Sequence, residues 1–333
     1  MSRSSRHPAV LAMTLAVVVV ALQALLVPLF AGPAANLEPR DLPVAVAGPA
    51  PAADRFAAEL DAARPGAFDI RVVTDADAAI RNRDVYGAIV LGADGPALHI
   101  ASAASPTVAT LLTQATAQLG QGRPVPVTDV VPVHSGDPRG AGFGAGFLPL
   151  AITGLVAGIL TFLLVKRPVA RLAGLGTFAV LAGLGGAGVL QNWLDVVPGD
   201  YPAVAGVLGL FALAMSAGVA GLAAVFDKPG IGLGAATFFL VGNALSAVAS
   251  APELLPQPWG AVGQFLPIGA GATSLRSVAY FDGHGAATGI WVLSAYAVGG
   301  LILVAAGRRG TLRSTTGTAA VEAGDRPEPA LAG

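Results

Sequence analysis

Residues able to do covalent or acid–base chemistry are few in this sequence, and none stands in the spacing such chemistry requires. The only lysines are Lys166 and Lys228, and neither lies in the Gly-x-x-x-x-Gly-Lys-Ser/Thr loop that cradles nucleotide phosphates. The chain therefore carries no ATPase site of that type. His7, His99, His134 and His284 are too dispersed for a metal-ligand pattern and read as surface or loop residues. No Gly-x-Ser-x-Gly nucleophile elbow occurs. Cysteine is absent, which removes disulfides, thiolate ligands and cysteine nucleophiles. Asp75 and Asp77 form a close carboxylate pair, but at an expected helix start their role is capping. Gly48-Pro49-Ala50-Pro51 does not supply the glycine pattern of a dinucleotide-binding turn. The expectation is a chain that is not an enzyme, with no catalytic residue, no metal and no cofactor.

The elements that must position the remaining polar groups are apolar. Every charged side chain falls outside six segments, residues 9–32, 143–165, 172–194, 203–226, 230–250 and 287–307, each about as long as the roughly 20 residues a bilayer core requires. The intramembrane polar groups are the amides Gln23, Gln191, Asn192 and Asn243, which bond between helices but cannot change charge, so proton or sodium coupling is not expected. Glycines such as Gly183, Gly185, Gly186 and Gly188 suit close helix approach.

The short connections set an orientation. Arg3 and Arg6, then Lys166, Arg167 and Arg171, then Lys228, then Arg308, Arg309 and Arg313 all fall on one side, while Asp195 and Asp200 mark the other. Both termini are expected to be cytoplasmic in the plasma (inner) membrane, with residues 33–142 extracytoplasmic. Cleavage of the first span as a secretory signal is the alternative, since basic residues before an apolar run also begin signal peptides. Residues 33–142 carry eight Arg against twelve Asp and Glu, a surface that does not favour nucleic acid. A chain rich in Ala, Gly, Val and Pro with two Lys resembles the product of a GC-rich bacterial genome.

Within 33–142 the pattern alternates. Strands are expected at 42–48, 68–74, 86–92 and 97–101, and helices at 52–64, 75–84 and 105–119, the last begun by Ser105 and Pro106. An extended segment over 125–133 leads back to the membrane. The fold class is thus an all-α membrane domain of six transmembrane helices with a small inserted α/β domain. The parts are a cytoplasmic N-terminus 1–8, a first helix 9–32, the extracytoplasmic domain 33–142, a five-helix domain 143–307 and a disordered cytoplasmic tail 308–333.

Residues 251–285 are too apolar for a solvated loop, yet Pro252, Pro256, Pro258 and Pro267 forbid one continuous helix. A partly re-entrant hairpin sheltered by protein meets both conditions. Arg276 is its only cation, with two outlets, the lipid headgroups or a pair with Glu253.

In this layout the chain resembles the ABC-2 type permeases, the membrane subunits of ATP-binding cassette exporters, in the branch that includes the phage infection protein-like (Pip/YhgE-like) membrane proteins. The likeness rests on the one-plus-five order of spans with an inserted α/β domain, covering nearly the whole chain. It rests also on Asn243-x-x-Ser246, then Pro-Glu-Leu-Leu-Pro, Trp259, Phe-Leu-Pro267 and Arg276 nine residues on. The resemblance implies a lipid-embedded half-transporter that forms a homodimer and is driven by a separate ABC ATPase subunit. It implies an outer gate of Asn243, Pro252, Pro256, Trp259, Pro267 and Arg276, a cytoplasmic contact of Lys166, Arg167 and Arg171, and an amphipathic or envelope-related substrate moved outward. The short N-terminus and the short 166–171 loop depart from the family. A non-transporting envelope receptor or scaffold using its outer domain is the alternative.

Overall fold

The computed structural model describes residues 6–119 and 124–307; residues 1–5 of the expected N-terminal segment, with Arg3, and the tail 308–333, with Arg308, Arg309 and Arg313, lie outside the described residues. Among the described residues five helices are long and apolar enough to cross a membrane, and a small mixed sheet domain stands between the first and second of these.

The first, α1 (Arg6–Ala35), is followed by β1 (Leu42–Ala47), α2 (Ala50–Ala63), β2 (Phe68–Val73), α3 (Ala76–Arg81), β3 (Gly87–Gly92), β4 (Gly95–Ile100), α4 (Pro106–Leu119) and β5 (Val127–Asp129). The sheet order is β2-β1-β3-β4-β5, with β1 parallel to β2 and β3, β4 antiparallel to β3, and β5 parallel to β4. Local chemistry sets the helix starts. Asp75 accepts the Ala78 N–H at 2.9 Å and Ser105 accepts the Val108 N–H at 3.2 Å, so both expected caps form. The segment expected to be extended over 125–133 yields only three strand residues. Pro124 and Pro126 lack the N–H that a longer ladder needs.

The sheet has two apolar faces. Ala45, Ala47 and Ala88 pack with Ala76, Ala79 and Ile80 on one side; Leu42, Val44, Leu98 and Ile100 pack with Val108 and Leu112 of α4 on the other. Each half-core is completed from outside the domain, by Phe281 on the first side and by Ala251 and Leu254 on the second.

The helical part comprises α5 (Ala141–Leu164), α6 (Pro168–Ala187) continued by a π-helical turn at Gly188–Trp193, α7 (Tyr201–Phe226), α8 (Lys228–Gly234), a π-helical segment Ala235–Val241, α9 (Gly242–Leu245), a 3₁₀ turn Pro252–Leu254, α10 (Trp259–Gln264), α11 (Pro267–Tyr280) and α12 (Ala287–Ala306). Helix α7 is the axis, buried between α5, α6, α11 and α12. Small residues allow this. A Cβ on Gly183 would overlap the Ala205 carbonyl oxygen of α7, and one on Gly221 would meet the Gly300 backbone of α12 at 2.8 Å. Gly185, in the same expected set, faces open space. Along α1 the side chains from Val10 to Val20 are exposed, and only its last turns touch the rest of the chain. Gln23 is exposed on α1.

The expected span 230–250 is realised differently. α8, the π segment and α9 form one run of seven, seven and four residues, about 27 Å of helix at the standard rise. It begins beside Leu222 at the end of α7 remote from the sheet domain and ends at Ser246, which faces that domain. Ala247, at φ 53°, and Pro252 prevent its continuation. It is not among the five long apolar helices.

The prolines of 251–285 do break that segment, and the pieces are packed against their neighbours without intervening side chains. A Cβ on Gly260 would overlap the Pro252 carbonyl oxygen, and one on Gly263 the Leu245 carbonyl oxygen. Helix α11 is buried along nearly its whole length. Gly263→Ala is therefore expected to cost about 1–3 kcal/mol through forced backbone displacement. Gly185→Ala should leave stability equal or slightly raised. Thermal unfolding of the detergent-purified variants checks both.

Candidate functional site

A cavity of about 360 Å³ lies where the sheet domain meets the helices. Its floor is the segment around Pro252 and Glu253 with α10 and α11, and its roof is the turn between α3 and β3. Arg83 sits in that turn at φ 62°, a left-handed conformation unusual for arginine, which aims its side chain out of the sheet domain. Its Nη1 donates to the Thr273 carbonyl oxygen at 3.0 Å and to the Ser277 hydroxyl, and its guanidinium lies 5.6 Å from the Phe281 ring centre. Gly285 makes room for it, since a Cβ there would meet Arg83 Cδ at 3.2 Å.

Arg276 reaches the same cavity from α11. It takes neither outlet expected from the sequence. With 7% of its surface exposed it does not snorkel, and Glu253 accepts instead from the Tyr86 hydroxyl at 2.8 Å. The Arg276 Nη2 donates to the Val248 carbonyl oxygen at 2.8 Å and its guanidinium covers the Phe143 ring at 4.6 Å. The wall is completed by neutral polar groups. The Thr273 hydroxyl donates to Gln264 Oε1 at 2.6 Å, and Gln264 Nε2 donates to the Ser246 carbonyl oxygen at 3.2 Å.

The electrostatics follow from burial. Loss of water lowers the Arg83 pKa, opposed by the neighbouring Tyr86 hydroxyl and Glu253 carboxylate. Burial first, and Glu253 second, push the Tyr86 phenol above its ordinary range, so it remains a hydrogen-bond donor.

The residues singled out in the sequence do not converge on one cavity. Pro252 and Arg276 line it. Pro256 and Trp259 instead form a groove with Leu25, Leu29 and Pro33 of α1, while Asn243 lies in a separate depression beside Ala34 and Leu148. Pro267 is buried at the first position of α11. Lys166 and Arg167 are exposed, whereas Arg171 donates to the Val165 and Phe162 carbonyl oxygens at 2.6 and 2.9 Å and closes the end of α5. One histidine differs from expectation: His99 lies in β4 with Nδ1 2.6 Å from Asp77. His134 is in a loop as expected, its ring 3.0 Å from the Asp195 carbonyl oxygen. Gln191 is fastened to the Pro198 and Gly199 carbonyl oxygens at 3.1 and 3.0 Å. Among the described residues no group of three or more His, Asp or Glu could hold a metal ion.

Arg83, Tyr86, Gln264 and Thr273 had no signal in the sequence. Each is an ordinary polar residue on a local element, and only tertiary folding brings them together. The arrangement can bind and orient a polar group by hydrogen bonds; it offers no nucleophile held against a base.

Tyr86→Phe removes the hydroxyl that donates to Glu253 and is expected to cost about 1–3 kcal/mol, with the double variant Tyr86→Phe/Glu253→Gln costing less than the sum. The pH dependence has a definite sign. The folded protein keeps a phenol proton that the unfolded chain loses at about pH 10, so stability falls as pH rises past that value, and Tyr86→Phe should flatten the fall. Thermal midpoints across pH 8–11 measure both effects. Compared with protein-family models, with curated proteins and with solved structures, the chain matches none.

Proposed function

We propose that this integral membrane protein is an ABC-2 type permease-like subunit that moves an amphipathic or envelope-related substrate outward, with a separate ATPase and a second copy of the chain as partners. The observation that carries the reading is the order of elements. One apolar helix, an inserted α/β domain and three long helices precede a broken helical run, and two short helices, the second of them largely buried, then separate that run from the last long helix. In this reading the run through α8 and α9 is the sixth crossing, because it returns the chain from the Lys228 end to the sheet-domain end. The sheet domain is extracytoplasmic, since Lys166, Arg167 and Lys228 gather at the opposite end.

A second reading, an envelope receptor or scaffold that does not transport, is favoured by one feature of the sheet domain. An apolar cleft of about 220 Å³ opens between α2, α4 and the sheet, lined by Leu60, Phe68, Ile89, Leu98 and Leu111. It is of a kind that takes an apolar ligand.

Two experiments decide. Pull-down of the tagged protein from its native membrane in mild detergent, with mass spectrometry and an ATPase assay, should recover a nucleotide-binding subunit with vanadate-sensitive activity. Repeated recovery of a partner of the sheet domain without any ATPase would favour the receptor. For orientation, a membrane-impermeant maleimide applied to intact cells should label Thr128→Cys and leave Ala170→Cys unlabelled; the reverse pattern would invert the topology. The wild-type chain, lacking cysteine, supplies the blank.

A further inference from the structure

Arg83 and Arg276 approach one cavity from two domains, and among the described residues neither meets a carboxylate within ion-pair distance. Each is held from behind, Arg83 by the Thr273 carbonyl and the Phe281 ring, Arg276 by the Val248 carbonyl and the Phe143 ring. These contacts use part of the five N–H donors that each guanidinium carries. Arg83 is partly and Arg276 almost wholly withdrawn from solvent, so the guanidinium donors not spent on these contacts are turned to the cavity, where an anion can accept from them. Two acids line the space as well. Glu253 is engaged by Tyr86, and Asp84 is exposed to solvent at the margin.

The two forks come from different backbones, and the non-bridging oxygens of one phosphate can be shared between them. A volume of about 360 Å³ exceeds what a halide needs and accommodates a phosphate with a small substituent. We propose that this cavity is a binding site for a phosphate oxyanion, clasped between Arg83 of the sheet domain and Arg276 of α11. The anion completes the joint between the domains by accepting from both guanidiniums at once, beyond what Glu253 contributes to Arg83. The site stands whether the chain exports a substrate or serves as a receptor.

The test uses the full-length protein in a neutral maltoside detergent, with thermal unfolding followed by tryptophan fluorescence. Sodium phosphate is titrated against sodium chloride at matched ionic strength, and dihexanoyl phosphatidylglycerol against dihexanoyl phosphatidylcholine. A saturable rise in midpoint is expected with phosphatidylglycerol, and Arg83→Gln should weaken it at least tenfold. Should that variant fail to fold, Ala261→Leu decides, because it narrows the cavity while both charges stay. A matching rise with inorganic phosphate identifies a free oxyanion as sufficient; a rise with the lipid alone identifies a headgroup. A protein that responds to neither probe overturns the proposal, as does a response undiminished in whichever of the two variants folds.

Discussion

A cation taken out of water must be given acceptors, and the joint between the sheet domain and the helices is organised by that demand. Arg83 can reach α11 only because its backbone adopts a left-handed turn and because Gly285 leaves the space its side chain crosses. In reaching α11 it holds the Thr273 carbonyl and the Ser277 hydroxyl of a helix whose other faces pack on α7 and α12. A second clasp lies alongside. Arg40 Nη1 donates to the Leu254 carbonyl oxygen at 2.8 Å, and the Arg40 N–H donates to the Glu253 carbonyl oxygen at 3.0 Å. The sheet domain is thereby joined to the helices by directional bonds as well as by apolar packing.

Inside the bundle the constraint is different. Helices in lipid gain little from hiding apolar surface from one another, so close backbone approach has to hold them. The contacts of Gly183 and Gly221 with the backbones opposite them meet this need around α7. The segment 251–285 joins both regimes. It packs through Gly260 and Gly263 against helix ends, and it gives Leu254 and Phe281 to the two half-cores of the sheet. Folding of the sheet domain and seating of α11 are thus coupled through shared buried side chains.

Much of this was legible in the sequence because hydropathy and alternation are local signals. Five of the six apolar segments appear as long helices, and all four expected main strands form. The sixth segment reads as a plain span, yet Gly230, Gly232 and Gly234 and the π turns that follow make a shorter, irregular run. The candidate site was legible only in part. Arg276 stood out as the lone cation in an apolar stretch, while Arg83 was one charge among many on a short surface helix. What gives Arg83 its place is a turn and a long-range contact, neither of which leaves a periodic trace. The family resemblance groups Asn243, Trp259 and Pro256 with Arg276, but the breaks between short helices turn them toward different surfaces.

The sheet domain is an insertion, with its incoming strand following α1 and its outgoing chain leading into α5. A single proteolytic cut between β1 and β5 therefore leaves one fragment attached to α1 and the other to the remaining helices. Strand pairing and the Arg40 clasp would still hold the two fragments together. Shedding of this domain from the membrane would require two separate cleavages, one of them beside a residue that the helices themselves hold fast.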